Sequence, residues 1–141
     1  MPGTITGAIE RISTPLDRPS LTILTLTCTG DSANGSYPAT VINTLTDIAK
    51  YDLRGLKLYS LVTSPGTTGP TDNSDMTITD KYGIDILGGA GANIVDNSAN
   101  NRVFINPDTA ASIITGNWTI NITNNSVDSA VTTVVLELLG V

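Results

Sequence analysis

Histidine is absent from this chain, and cysteine occurs once, at Cys28. Histidine is the commonest general base and the commonest transition-metal ligand, so its absence excludes a Ser-His-Asp or Cys-His arrangement within the chain. With a single thiol as well, we expect neither a zinc, copper or haem site nor an internal disulfide bond. We also expect stability to change little between about pH 5.5 and 8, because no histidine titrates there.

Charged and aromatic residues are also scarce, at 14% and 4% of the chain. Catalysis by carboxylates is the one enzymatic route left. A pair of carboxylates that cleaves sugars is not expected, because the aromatic rings that would form a platform for a sugar are nearly absent. We therefore expect a protein that is not an enzyme and that has no cofactor. A net charge of −6 with scattered basic residues argues against nucleic-acid binding.

Long apolar runs are missing too. No segment approaches the ~20 apolar residues of a membrane helix, so no membrane role is expected. The first residues carry no basic region followed by an apolar segment, so no secretory signal is expected either.

Threonine and β-branched aliphatic residues are abundant instead, and they favour strands over exposed helices. A chain of 141 residues can bury about 68–70% of its unfolded surface as one domain, so we assign residues 1–141 to a single domain. Short alternating segments between turn clusters predict an all-β fold, an antiparallel β-sandwich or jelly roll with little helix.

Alternation of apolar and polar residues predicts a strand at 21–29 and places Cys28 on its buried face. A turn cluster at 30–36 predicts that residues 37–45 return antiparallel to that strand. Residues 56–63 are apolar on both faces, which is typical of a central, well-covered strand.

Residues 117–123 alternate in the same way, with Trp118 on the buried face. The turn that follows them predicts a C-terminal hairpin with residues 130–139. Residues 102–106 are expected to form a short edge strand.

Residues 3–12 are either a short strand or part of an extended N-terminal arm that spans 1–20. Two prolines make residues 13–20 a connector. Residues 46–55 are expected to form a loop, although the helical spacing of Leu45, Ile48 and Ala49 would also suit one helical turn. A second loop is expected at 107–116, where Asp108 could cap a brief turn.

The polar face of the strand at 21–29 carries a row of threonines, Thr25, Thr27 and Thr29. The row is uncharged, and its side chains are rigid at the first torsion. It is either a solvated sheet face or a surface that docks against other β-rich subunits with little loss of charge solvation.

The segment at 70–93 reads PTDNSDMTITDKYGIDILGGAGAN. An Asx-rich turn precedes an alternating strand at 76–79, and an acidic reversal at 80–83 leads to an apolar strand at 84–87. The glycine run at 88–92 presents almost no side chain, so another backbone or subunit can approach closely. It lacks the Lys-Ser/Thr pair and the helix of a phosphate-binding loop.

Four aspartates of this segment, Asp72, Asp75, Asp80 and Asp85, have two interpretations. Oxygen-rich turns can ligate calcium, but their spacing does not follow an EF-hand loop. Aspartates also start turns and keep strand ends solvated. We favour turn capping and expect no metal.

The segment at 70–93 resembles one found in small structural proteins of tailed bacteriophage particles. Those proteins share the Pro-Thr-Asp-Asn turn, the strand, the acidic reversal with glycine and the Gly-Ala-Gly-Ala-Asn run, in that order. The resemblance extends weakly to 64–66 and 131–139. It implies a building part of the virion rather than an enzyme.

A capsid decoration or cement protein is the first hypothesis, made in the host cytoplasm and located in the virion. Its partners would be the major capsid protein or other virion subunits, and a symmetric dimer or trimer is expected. A tail or head–tail joining part and a glycan-binding module of a fibre or spike are the alternatives. The predicted partner contacts, on the N-terminal arm and the glycine loop, are Thr4, Ile5, Ile9, Gly88, Gly89 and Gly91.

Overall fold

The computed structural model describes residues 1–12, 21–105 and 113–140. The described strands are β1 (Thr4–Ile12), β2 (Leu21–Thr29), β3 (Thr40–Val41), β4 (Lys57–Pro65), β5 (Asp75–Thr79), β6 (Asn101–Phe104), β7 (Thr119–Thr123) and β8 (Val131–Leu139). Within these residues the helical structure is one 3₁₀ turn, Ile42–Thr44. The expected connector at 13–20 and the expected cap at Asp108 lie outside the described residues.

The strands form two antiparallel sheets. The larger sheet has the order β1-β2-β8-β4-β6, and the smaller has the order β3-β7-β5. The prediction of an all-β antiparallel fold is confirmed. β4 and the short edge strand β6 lie where the sequence predicts strands, and residues 46–55 form the expected loop.

Residues 4–12 are an edge strand of the larger sheet rather than a free arm. Every residue of β1 has a partner in β2, from Thr4 opposite Thr29 to Ile12 opposite Leu21. Of the two interpretations offered by the sequence, the strand is the one that the structure contains.

The expected return of residues 37–45 along β2 is wrong. β2 has β1 on one side and β8 on the other, so both of its hydrogen-bonding edges are filled. Thr40–Val41 pairs instead with β7 in the smaller sheet. The Ile42 amide then donates to the Trp118 carbonyl oxygen at 2.8 Å, which continues the contact with the segment before β7.

The expected C-terminal hairpin is also wrong, because β7 and β8 belong to different sheets. Asn124 and Ser129 adopt left-handed conformations in the connection, with φ of 69° and 55°. Asn125 accepts a hydrogen bond from the Thr71 amide at 2.7 Å and donates one to the Gly35 carbonyl oxygen at 2.6 Å. Two distant loops thus anchor the connection where the chain passes from one sheet to the other.

The two apolar faces of β4 have a specific cause. Its register against β8 shifts between Leu58 and Ser60, so Tyr59 is an extra residue in a β-bulge. The extra residue turns both Leu58 and Leu61 towards the interior, although they have opposite parity in the sequence.

Buried side chains of both sheets belong to one hydrophobic core. The core includes Leu24, Leu26, Leu61, Val134 and Leu136 of the larger sheet and Met76, Ile78, Ile120 and Ile122 of the smaller. Trp118 is 2% exposed, which confirms its predicted burial. Its amide donates to the Asn43 side-chain oxygen at 2.8 Å, so the backbone of this residue is held as well as the ring.

We expect Trp118→Ala to lower the free energy of unfolding by about 3–5 kcal/mol, because it empties a large volume in the core. Tyr82→Ala is the matched control, since that ring is 72% exposed and its loss leaves no cavity. Thermal and urea denaturation of both variants would measure the difference. Equal melting temperatures for Trp118→Ala and the unmodified protein would contradict the placement of this ring.

Candidate assembly surfaces

The face of the larger sheet that points away from the core is the broadest candidate surface, and we call it the open face. Along β2 and β8, buried residues alternate with half-exposed or exposed ones, so one side of the sheet is core and the other meets solvent. The strand registers arrange the middle of the open face in three rows: Thr6, Thr27, Thr133 and Ser64; Ala8, Thr25, Val135, Val62 and Arg102; and Glu10, Ile23, Glu137, the buried Ser60 and Phe104. Two further rows lie at its ends: Thr4, Thr29 and Val131; and Ile12, Leu21, Leu139 and Lys57.

The three middle rows of the open face carry three charged side chains, Glu10 at the β1 end, Arg102 and Glu137, and the last two form an ion pair. Arg102 and Glu137 neutralise each other through a 2.9 Å contact between Nη1 and Oε1. Most other side chains of the three rows are threonine, valine or small residues, and the β-branched ones are stiff. A partner can therefore cover most of this face without desolvating isolated ions or freezing flexible side chains.

One end of the open face holds an exposed aromatic pair that we call the Tyr59–Phe104 cluster. The two ring centroids lie 5.5 Å apart in an edge-to-face arrangement, and the Arg102 guanidinium lies 5.7 Å from the centre of the Phe104 ring. Phe104 is 60% exposed although it is a large apolar residue. Aromatic and arginine side chains dominate binding energy at protein interfaces, so this cluster has the composition of an interface hot spot.

Sequence reasoning missed the Tyr59–Phe104 cluster. The two aromatic residues meet only because β6 pairs with β4, where Phe104 lies opposite Ser60, next to the bulge residue Tyr59. A usable signal was the phenylalanine itself, the only one in the chain, in a segment that the sequence marks as an edge strand.

The predicted contacts in β1 do not share one environment. Thr4 is exposed and Ile9 is half-buried, whereas Ile5 is buried within the core of its own chain. Beside them, a Cβ added to Gly7 would lie 2.6 Å from Cδ1 of Ile48. β1 therefore faces the loop at 45–51 on its inner side, and its exposed groups lie on the open face and along its free edge.

The predicted contacts in the glycine loop also divide. Gly91 is buried, its carbonyl oxygen accepts the Met76 amide at 2.9 Å, and an added Cβ would overlap the Met76 carbonyl oxygen. The close approach that its lack of a side chain permits is thus to its own β5. Gly88 and Gly89 are exposed, with φ of 59° and 86°, and a Cβ on either would meet open space.

The residues expected to form a strand at 84–87 turn instead. They make one bridge, between Asp85 and Thr79. The Asp85 carboxylate accepts the amides of Ile78 at 3.2 Å and Leu87 at 3.1 Å on one oxygen, and the amide of Gly89 at 3.1 Å on the other. The Asp85 carboxylate thus binds backbone amides that would otherwise be available to a neighbouring strand.

Asp80 and Asp75 accept hydrogen bonds as well, but their donors lie at different distances along the chain. Asp80 accepts the amides of Tyr82 at 2.9 Å and Ile84 at 3.1 Å. Asp75 accepts the Asn93 amide at 2.8 Å and the Asn124 side-chain amide at 2.6 Å. The Asp80 bonds agree with turn capping, whereas the Asp75 bonds join segments 18 and 49 residues apart.

The described ranges contain no group of three or more aspartate, glutamate, cysteine or histidine residues placed to hold a metal ion.

Burial and hydrogen bonding shift several pKa values. Burial raises the pKa of the Cys28 thiol to about 12, which agrees with the predicted structural role of this residue. Burial also raises the pKa of Tyr37, whose hydroxyl donates to the Ala130 carbonyl oxygen at 3.2 Å. Hydrogen bonds from the Arg54 side chain and amide lower the pKa of Asp52 to about 2, and those from the Ser98 and Ala99 amides lower that of Asp96.

Comparisons of the chain with protein-family models, curated proteins and solved structures find no match. Nor does the described part of the chain contain a helix of the length and apolar character that crossing a bilayer requires.

We expect a stability plateau between about pH 5.5 and 8 with a decline on each side. On the acid side, Asp52 and Asp96 have lowered pKa values, so their contribution is present above the unfolded value of 3.8 and is lost as pH falls below it. On the alkaline side, the raised pKa of Cys28 means that its contribution is complete below 9.0 and is lost as pH rises towards about 12.

Melting temperatures measured from the acid decline through the plateau to the alkaline decline would check this pH profile. Cys28→Ala is the control, because it should make the alkaline decline shallower while leaving the acid side unchanged. A steep loss of stability between about pH 5.5 and 8 would instead reveal a carboxyl group with a strongly raised pKa.

Proposed function

We propose that this protein is a non-enzymatic structural component of a tailed bacteriophage virion, and specifically a capsid decoration or cement protein. The observation that carries the proposal is the open face with its exposed Tyr59–Phe104 cluster, a surface of low charge with a hot-spot composition. The resemblance of residues 70–93 to small phage structural proteins supplies the particle in which such a surface would work.

The proposed role depends on many copies of the protein binding equivalent sites on the capsid. Each copy would seat the open face across a junction between major capsid protein subunits, where the aromatic cluster fills a pocket and the neutral rows exclude water. Weak contacts repeated over a lattice add up through multivalency, and a small symmetric oligomer, a dimer or trimer, would increase the effect. The net charge of −6 favours a basic patch on the partner.

The architecture proposed with this role is a β-sandwich. Two antiparallel sheets that contribute to one hydrophobic core support it. Such a domain keeps the inner faces for folding and leaves one outer face for assembly.

Binding to empty, undecorated capsids tests the proposal. We expect the unmodified protein to sediment with such capsids at many copies per particle, and Phe104→Ala to lower the affinity about tenfold or more. Tyr82→Ala is the matched control, since it removes an exposed aromatic ring from the reversal at 80–83, which follows β5 of the smaller sheet. Both rings are exposed, so the two variants should melt close to the unmodified protein.

Other outcomes would contradict the decoration role. Binding confined to one vertex would indicate a tail or head–tail joining part, and binding to surface glycans in place of capsids would indicate a module of a fibre or spike. Equal capsid binding by Phe104→Ala and Tyr82→Ala would show that the open face is not the surface that binds the capsid.

A further inference from the structure

The free edge of β1 is the longest strand edge that the larger sheet presents. β1 pairs with β2 through all nine residues, and within the described residues no strand lies on its other side. An antiparallel edge strand points the amide and carbonyl groups of alternate residues outwards, where they can pair with another strand. The opposite edge of the same sheet, β6, has only four residues.

Among the described residues, the stretch Thr4 to Ile9 of this edge has none of the usual protection against pairing. Proteins shield free edges with short strands, bulges, proline or charged side chains. The register of β1 against β2 runs without a shift, and Thr4 to Ile9 are all uncharged. The charged residues of the strand, Glu10 and Arg11, lie at one end. The Arg11 guanidinium lies 5.3 Å from the centre of its own chain's Tyr51 ring.

We propose that β1 pairs antiparallel with β1 of a second copy of this chain, around a two-fold axis at Ala8. Ala8 is the midpoint of Thr4–Ile12, so this register pairs all nine residues of both strands and forms roughly eight to ten backbone hydrogen bonds. The smallest side chain with a Cβ then meets its own copy at the axis. The pairing does not depend on the virion role.

The charges of β1 agree with this register. With the axis at Ala8, Glu10 lies opposite Thr6 of the second copy and Arg11 lies opposite Ile5. An axis at Glu10 would set two carboxylates directly opposite each other, which destabilises a strand pair.

The loop at 45–51 adds complementary charges to the proposed contact between the two copies, on the inner side of the β1 edge. Two depressions of about 230 Å³ each lie between β1 and this loop, and Asp47 lines both of them. Lys50 lines the one beside Ala8 and Ile9, and its Nζ lies 3.2 Å from Oδ1 of Asp47. A two-fold axis at Ala8 brings Asp47 and Lys50 of one copy against Lys50 and Asp47 of the other, so the loop is complementary in charge to itself.

The dimer has a consequence for the open face. Because the axis is perpendicular to the sheet, the two larger sheets join into one, and both open faces lie on the same side. The two Tyr59–Phe104 clusters stand at the two far ends of that surface, since β6 is at the end of the sheet opposite β1. This consequence rests on the proposed function, whereas the pairing itself does not.

Light scattering and native mass spectrometry of charge variants at the axis test the pairing. We expect the unmodified protein to have twice the chain mass of 14.6 kDa, with dissociation on dilution. Ala8→Lys and Ala8→Glu each place two like charges face to face, so each should raise the dissociation constant at least about tenfold. An equimolar mixture of the two should restore a dimer that contains one copy of each, which also shows that both variants fold.

Thr77→Lys is the matched control, because it adds the same charge at an exposed position of β5, the edge strand of the smaller sheet. It should remain dimeric. Hydrogen exchange of the unmodified protein gives a measurement that needs no variant: amide protection in β1 should increase with protein concentration, while protection in β5 should not.

An unmodified protein that is monomeric at every concentration would overturn the pairing, as would an oligomer that survives Ala8→Lys or β1 amides whose exchange is independent of concentration. A trimer would overturn it as well, since a two-fold axis cannot generate one. Capsid binding by a monomer would leave the decoration role standing, so the failures of the two proposals are distinguishable.

Discussion

The position of β8 between β2 and β4 is the constraint on which the rest of the structure depends. β8 is the last strand of the chain, yet it occupies the middle of the larger sheet and pairs along most of its length on both sides. Its buried residues Val134, Leu136 and Leu138 fill the centre of the core. Without β8, the larger sheet separates into two pairs of strands, β1 with β2 and β4 with β6.

This constraint explains which parts of the fold the sequence could predict. Alternation correctly marked β2, β5 and β7 and the burial of Cys28 and Trp118, because burial on one face leaves a period of two in the sequence. The pairing of the strands could not be predicted from the sequence. Turn signals favour pairing between neighbours along the chain, whereas β2 and β4 both pair with the distant strand β8. The bulge at Tyr59 could not be predicted either, because an extra residue can be recognised only when the register of β4 against β8 is known.

The candidate surfaces were predictable to the same extent. The threonine row on β2 predicted a polar, uncharged stretch of one sheet face, and the structure places Thr25, Thr27 and Thr29 on the open face. The Tyr59–Phe104 cluster depends on the pairing of β4 with β6 and could not be inferred from spacing. The glycine run looked uniform in the sequence, but Gly91 is packed against β5 and Gly88 is exposed. Only the three-dimensional environment separates these two roles.

The distribution of charge connects the fold to assembly. Most aspartates lie in turns, where residues such as Asp80, Asp85 and Asp96 accept hydrogen bonds from nearby amides. On the open face, by contrast, Glu137 is paired with Arg102. The net negative charge therefore lies mainly in the turns around the sheets, where it can attract a basic partner at a distance.

A surface arranged in this way separates two requirements that usually conflict. Charge that prevents aggregation is costly to desolvate when it lies inside an interface, and a neutral face that docks well promotes aggregation when nothing charged surrounds it. Here the turns supply the charge and the strands supply the neutral face, so a partner can cover Thr25, Val62 and Val135 while the aspartates of the turns stay in water. The same separation accounts for β1, whose uncharged stretch at 4–9 is available for pairing and whose charged end at Glu10 and Arg11 restricts the registers in which pairing can occur.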